Sequence, residues 1–181
     1  MPALVNSFAA ICLSDSGAVQ HKRRCNMVEV TDTARQVRKF ILNSFVNTGH
    51  APNVGDMMAA VGVTRAAVLE TFREIAAIDT FWIEKGTENI RLLAPFANTS
   101  TPYKVTVEGV QKWYAVCGLD ALGIWTFFPG KTVQVDAYCR DCGEAIQLQL
   151  KDGQITAQSP AHLLVHLGVP VAYWMDDLPF A

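Results

Sequence analysis

No apolar run in this chain approaches the roughly 18 residues that a membrane-spanning helix requires, so no helical anchor is legible in it. Charge of one sign is also missing. The chain carries 15 Lys and Arg against 17 Asp and Glu, a formal net charge of −2. That balance argues against a polybasic nucleic-acid binder and against an acidic tail. Neither a glycine-rich phosphate loop nor a dinucleotide fingerprint occurs, which leaves no organic cofactor in view. Internal repeats and low-complexity tracts are absent too. Cysteines are few, odd in number and uneven: Cys12, Cys25, Cys117, Cys139 and Cys142. A secreted disulfide framework shows an even, dense set. Reduced thiols in a cytoplasmic protein fit better, and there a cysteine cluster points to metal binding or catalysis.

What is present is apolar: 50% of the residues are hydrophobic, enough for one domain or two small ones. Residues 1–26 are expected to be a disordered extension, with either Met1 or Met27 as the start. Their apolar stretch, Phe8 to Leu13, precedes His21-Lys22-Arg23-Arg24, the reverse of a secretory signal. Thr31 to Asn47 reads as an amphipathic helix capped by Thr31 or Asp32, with Val37, Phe40, Ile41, Phe45 and Val46 at helical spacing. Val54 to Val61 reads as a second helix ended by Gly62. A third runs from the Thr64 cap to about Ala77. Thr80 to Glu84 and Asn89 to Leu93 read as strands joined by a turn. Three helices and a hairpin over residues 27–94 predict a winged-helix-like part. DNA binding does not follow from it, because Arg65 and Arg73 are offset by Glu70 and Glu74 and no basic stripe emerges.

Residues 95–104 read as a polar, proline-bearing linker. Beyond it, Val105 to Val107 reads as a strand and Gln111 to Ile124 as an apolar helix. Thr132 to Tyr138, Ala145 to Leu150 and Gln154 to Gln158 read as a strand meander with a hairpin at Asp152-Gly153. The expected class is α+β, with a small antiparallel-rich sheet in residues 105–181.

Two constellations bear chemistry. In Trp113-Tyr114-Ala115-Val116-Cys117-Gly118-Leu119-Asp120, a helix would put Cys117 and Asp120 on one face, a thiol and a carboxyl within reach of one bound atom. Apolar neighbours would raise the carboxyl pKa and let it hold a proton near neutrality. The plainer alternative is a buried cysteine beside a capping or surface aspartate. The other constellation is Cys139-Arg140-Asp141-Cys142-Gly143. A structural zinc ion needs four ligands, and no second CxxC exists. His162 and His166 are the remaining nitrogen candidates, but they lie in a Leu/Val-rich stretch. Two thiols are also a direct ligand set for a soft metal ion.

Together these residues resemble the alkylmercury (organomercurial) lyase family over about residues 30–181. The resemblance is carried by Pro95-Phe96-Ala97-Asn98 with Thr101-Pro102, and by Trp113-Tyr114 leading into Cys117-x-x-Asp120-Ala121-Leu122-Gly123-Ile124. It continues through Cys139 and Cys142-Gly143, Ser159-Pro160, Val165-His166-Leu167-Gly168-Val169-Pro170, and Trp174 before Asp176-Asp177. It implies cleavage of a carbon–mercury bond by protonolysis, giving a hydrocarbon and Hg(II), in mercury detoxification. By that resemblance Cys117 is the first catalytic cysteine and mercury ligand, Asp120 the proton-handling acid, and Cys139 a structural cysteine. The family's second catalytic cysteine falls beyond the region resembling Pro179-Phe180, while this chain ends at Ala181. A chain truncated before that cysteine is the expectation, with Cys142 as its candidate substitute. No cofactor is expected. The expected partners are an organomercurial substrate, small thiols that release Hg(II), and a mercury-accepting reductase, with no membrane and no nucleic acid. Two other readings stay open: a thiol-based metal-binding or metal-sensing protein with a winged-helix part, and an inactive truncated relative.

Overall fold

A computed structural model describes residues 29–164. The expectations for residues 1–26, for Cys12 and Cys25, and for the segment from Val165 to Ala181, including His166, lie outside the described residues. The class is α+β. Helices α1 (Asp32–Thr48), α2 (Val54–Val61) and α3 (Arg65–Ala76) come first. Strands β1 (Phe81–Ile83), β2 (Ile90–Leu93), β3 (Phe96–Ala97), β4 (Tyr103–Val107) and β5 (Val110–Ala115) follow. The short helix α4 (Gly118–Gly123) and a 3-10 turn (Ile124–Phe127) lead into β6 (Val133–Tyr138), β7 (Ala145–Lys151) and β8 (Gln154–Ser159). The eight strands form one antiparallel sheet in the order β1-β2-β3-β5-β4-β6-β7-β8.

The helices begin where hydroxyl and amide side chains can take orphan N–H groups. Thr31 accepts from Ala34, Asn53 from Asp56 and Thr64 from Ala67. Gly49 and Gly62 end α1 and α2 in the left-handed conformation. The buried stripes Val37–Ile41–Phe45 of α1 and Val68–Phe72–Ile75 of α3 join the sheet in one core. No helix among the described residues is long and apolar enough to cross a membrane.

Two sequence expectations are corrected here. Gln111 to Ile124 is not one helix: β5 occupies Val110–Ala115, and the helix begins only after Cys117. Trp113 and Ala115 point into the core with Tyr114 between them, a two-residue period stabilised by pairing with β4 and β3. The segment 95–104, read as a polar linker, carries β3 and the start of β4. Phe96 within it is fully buried, stacked on Phe45 at 5.3 Å and edge-on to Phe127 at 5.1 Å. Asn98 adds two ties: its Oδ1 accepts from the Ala51 N–H at 2.9 Å, and its Nδ2 donates to the Ile90 carbonyl at 3.0 Å.

The end of α1 is locked onto β5. The Phe45 carbonyl accepts both the Gly49 N–H at 2.8 Å and the Trp113 indole N–H at 2.7 Å. Gly49 has φ 81°, and a Cβ there would lie 2.6 Å from the Lys112 carbonyl oxygen. Gly49→Ala therefore combines left-handed strain with a backbone clash. It is expected to lower stability by more than about 1 kcal/mol, read as a lower urea midpoint.

Candidate active site

The site sits where β5 hands over to α4. Thr101 donates to the Ala115 carbonyl at 2.7 Å, and the Val116 N–H donates to the Pro95 carbonyl at 3.1 Å, so both flanking segments hold the end of β5. Cys117 then leaves the strand in an extended conformation and becomes the N-cap of α4. Its sulfur accepts the Asp120 N–H at 3.4 Å, and its thiol donates to Asp120 Oδ2 at 3.1 Å. The pair expected from sequence does meet, but through this reciprocal cap and not on one helix face.

Both groups are partly buried; the Asp120 carboxylate makes a Cys117 thiolate harder to hold, while the Cys117 hydrogen bond favours the carboxylate. Burial pushes the Cys117 thiol up to about 11, and the neighbouring Asp120 carboxylate adds to the rise. Burial also raises the Asp120 carboxyl, the Cys117 hydrogen bond opposes that rise, and the charge of Asp79 adds to it. Asp79 is itself raised by burial, although Arg38 clamps it through contacts of 2.6 and 2.9 Å. The pair is a thiol hydrogen-bonded to a carboxyl group whose affinity for a proton is raised above the ordinary.

Three neighbours went unnoticed in the sequence. Tyr103 stands at the start of β4, its ring 3.8 Å from where a Cβ on Gly118 would lie. Burial raises its phenol pKa, the charge of Cys117 raises it further, and Arg140 opposes the rise. Asp79 comes from the segment after α3, and Arg140 from the turn after β6. Tyr103 and Arg140 reach the site through sheet register and Asp79 through packing of the helical part, and no local motif marks Tyr103 or Asp79.

Cys139 and Cys142 lie in that turn, together and partly or fully exposed. The Cys139 N–H donates to the Glu144 carbonyl at 2.8 Å and the Gly143 N–H to the Cys139 carbonyl at 3.0 Å, with Gly143 at φ 74°. The register fixes where this turn stands relative to Cys117. In β4, Tyr103 pairs with Ala115 of β5 and Lys104 with Asp136 of β6. The C-terminal ends of β5 and β6 therefore flank the same end of β4, with Cys117 following one and Cys139 the other. Among the described residues, no group of three or more His, Cys, Asp or Glu is arranged to hold a metal ion. An open cleft lined by Pro52, Glu84, Arg91 and Asn98 contains none of these cysteines.

Residues 96–178, which include both cysteine constellations, match the alkylmercury lyase family. Over this stretch the chain is similar to alkylmercury lyases. It is 34% identical over 70 residues to alkylmercury lyases of Bacillus cereus and Clostridium butyricum. Those residues are 39% of this chain and 31% of each relative, so the chain spans under a third of the length of the curated lyases it matches. The fold is similar to that of MerB2, solved in a mercury-bound form, with a TM-score of 0.59 at 15% identity. That alignment covers 73% of this chain and 62% of that one.

Proposed function

We propose that this protein is an organomercurial lyase that cleaves carbon–mercury bonds by protonolysis, with Cys117 as mercury ligand and Asp120 as proton carrier. The observation that carries the reading is the 3.1 Å contact between the Cys117 thiol and Asp120 Oδ2, inside the stretch matched to the lyase family.

With its pKa near 11, Cys117 meets the substrate protonated. Mercury is soft and prefers sulfur, so it displaces the proton. The S–H bond breaks, an S–Hg bond forms, and the proton passes to Asp120. A carboxyl whose pKa is already raised by burial suits that task, since it takes up a proton without holding it too weakly. The C–Hg bond then breaks, its electron pair takes the proton from Asp120, and the hydrocarbon leaves. The sum is R–Hg–X plus the Cys117 thiol giving R–H plus Cys117-S–Hg–X. No electrons change hands, and Asp120 ends as it began. X is a thiolate, from a small thiol or from Cys142, and its electron donation makes the carbon more basic. Small thiols then remove Hg(II) by ligand exchange, for a reductase to accept.

The three-helix and hairpin part is read as a winged-helix-like unit that walls the site through Asp79 and is not a DNA reader. Its arginines support this: Arg65 pairs with Glu88 at 2.7 Å and Arg73 with Glu70 at 2.8 Å, leaving little free charge for phosphates. The test is headspace hydrocarbon release from methylmercury or phenylmercury in excess small thiol. Methane or benzene above the protein-free control is expected. No release, with mercury held stoichiometrically, would favour the metal-binding or metal-sensing reading instead.

A further inference from the structure

We infer that Cys139 and Cys142 form a separate dithiol site for a soft, two-coordinate metal ion such as Hg(II), displayed beside the Cys117 site at one end of the sheet. The turn is built to present sulfur. Its ends are closed by the Cys139–Glu144 and Gly143–Cys139 backbone bonds, and the left-handed Gly143 lets the chain double back immediately after Cys142. Cys139 and Cys142 are three residues apart on this one turn, Cys139 half-buried and Cys142 exposed. Cys142 is exposed, so an ion carried by a small thiol can reach the pair without opening the core.

The ligand class follows from the number of donors. Among the described residues no third or fourth protein ligand joins the pair, which does not suit a tetrahedral zinc ion. Two sulfurs are a full set for a linear thiophilic ion. Position gives the site a use. Two strand spacings, about 10 Å, separate the ends of β5 and β6 across β4. Tyr103 lies between them and feels the charges of both Cys117 and Arg140. Ligand exchange is balanced as it stands: Hg(SR)2 plus the two protein thiols gives the protein dithiolate complex plus two RSH. The inference does not rest on carbon–mercury cleavage at Cys117.

The test uses the full 181-residue chain with Cys12, Cys25 and Cys117 replaced by serine, so that only this pair of thiols remains. Hg(II) is supplied as its glutathione complex, and retention against excess glutathione is read by mass spectrometry and by sulfur-to-mercury charge-transfer absorption. One Hg(II) per chain is expected. Adding Cys142→Ser is expected to cut retention roughly 100-fold, the scale of a lost chelate partner. Circular dichroism of that exposed-site variant reports whether it stays folded. Retention unchanged by Cys142→Ser, or Zn(II) held as tightly as Hg(II), would overturn the assignment. Hydrocarbon release from the unsubstituted chain is a separate readout, so the lyase reading and the dithiol site can fail independently.

Discussion

Replacing Cys117 by serine is expected to reduce hydrocarbon release by roughly 10³-fold or more, the scale on which removal of a bond-forming nucleophile is felt. The hydroxyl can still accept the Asp120 N–H and donate to the carboxylate, so the head of α4 has no reason to unravel. What serine removes is the soft donor. Mercury does not displace the proton of a neutral hydroxyl, so neither a bond to mercury nor the protonated Asp120 acid can form. Binding and chemistry fail together, and excess small thiol does not restore turnover, because a thiol in solution is not held against Asp120. The informative comparison is fold against activity. Circular dichroism and the urea midpoint are expected to stay near those of the unsubstituted chain while methane or benzene falls to the control. Release that survives the substitution would remove Cys117 from the chemistry and take with it the assignment of Asp120.

Local chemistry was legible from the sequence, and long-range pairing was not. Thr31 and Thr64 cap their helices and Gly62 ends α2 as the sequence pattern predicts, because capping involves only neighbours within one turn. Asp152 and Gly153, both at positive φ, close the β7–β8 hairpin for the same reason. The misreading of Gln111 to Ile124 has a physical cause. The apolar run Trp113 to Ile124 mixes a two-residue period with a helical one, and only hydrogen bonding to β3 and β4 decides where the strand ends. Phe96 was hidden by its polar and proline neighbours, although its ring lies at the centre of the aromatic core. The site divides the same way. A three-residue spacing made Cys117 and Asp120 visible. Tyr103, Asp79 and Arg140 arrive by sheet register and by packing of the helical part, which no local motif encodes.

Replacing Asp120 by asparagine is expected to move three observables in directions that a structural cap would not produce together. Activity falls by about 10² to 10⁴, the usual contribution of a positioned proton carrier, since an amide can accept the Cys117 hydrogen bond but cannot carry its proton to carbon. The Cys117 thiol becomes easier to ionise, because the carboxylate charge is, after burial, the largest influence that holds it near 11. Its alkylation rate against pH should show a midpoint below that value, with burial keeping it above an ordinary thiol. Stability at neutral pH rises. The Asp120 carboxyl is raised above its ordinary 3.8 in the fold, chiefly by burial, so the folded chain binds its proton more tightly than the unfolded chain does. The stability this contributes is complete below 3.8 and is lost as pH climbs through the folded value. Asparagine carries no such charge and should raise stability at pH 7 by about 0.5–2 kcal/mol, read as a higher urea midpoint. Part of the pH dependence should persist in the variant, because Asp79 is raised for the same reason. If Asp120 served mainly as the acidic first-turn residue of α4, the same substitution would weaken a favourable helix-terminus interaction and lower the midpoint. A less active, more stable chain with a more acidic thiol is the signature of a carboxylate held in place at a cost to the fold, as a proton-carrying group in a partly buried site must be.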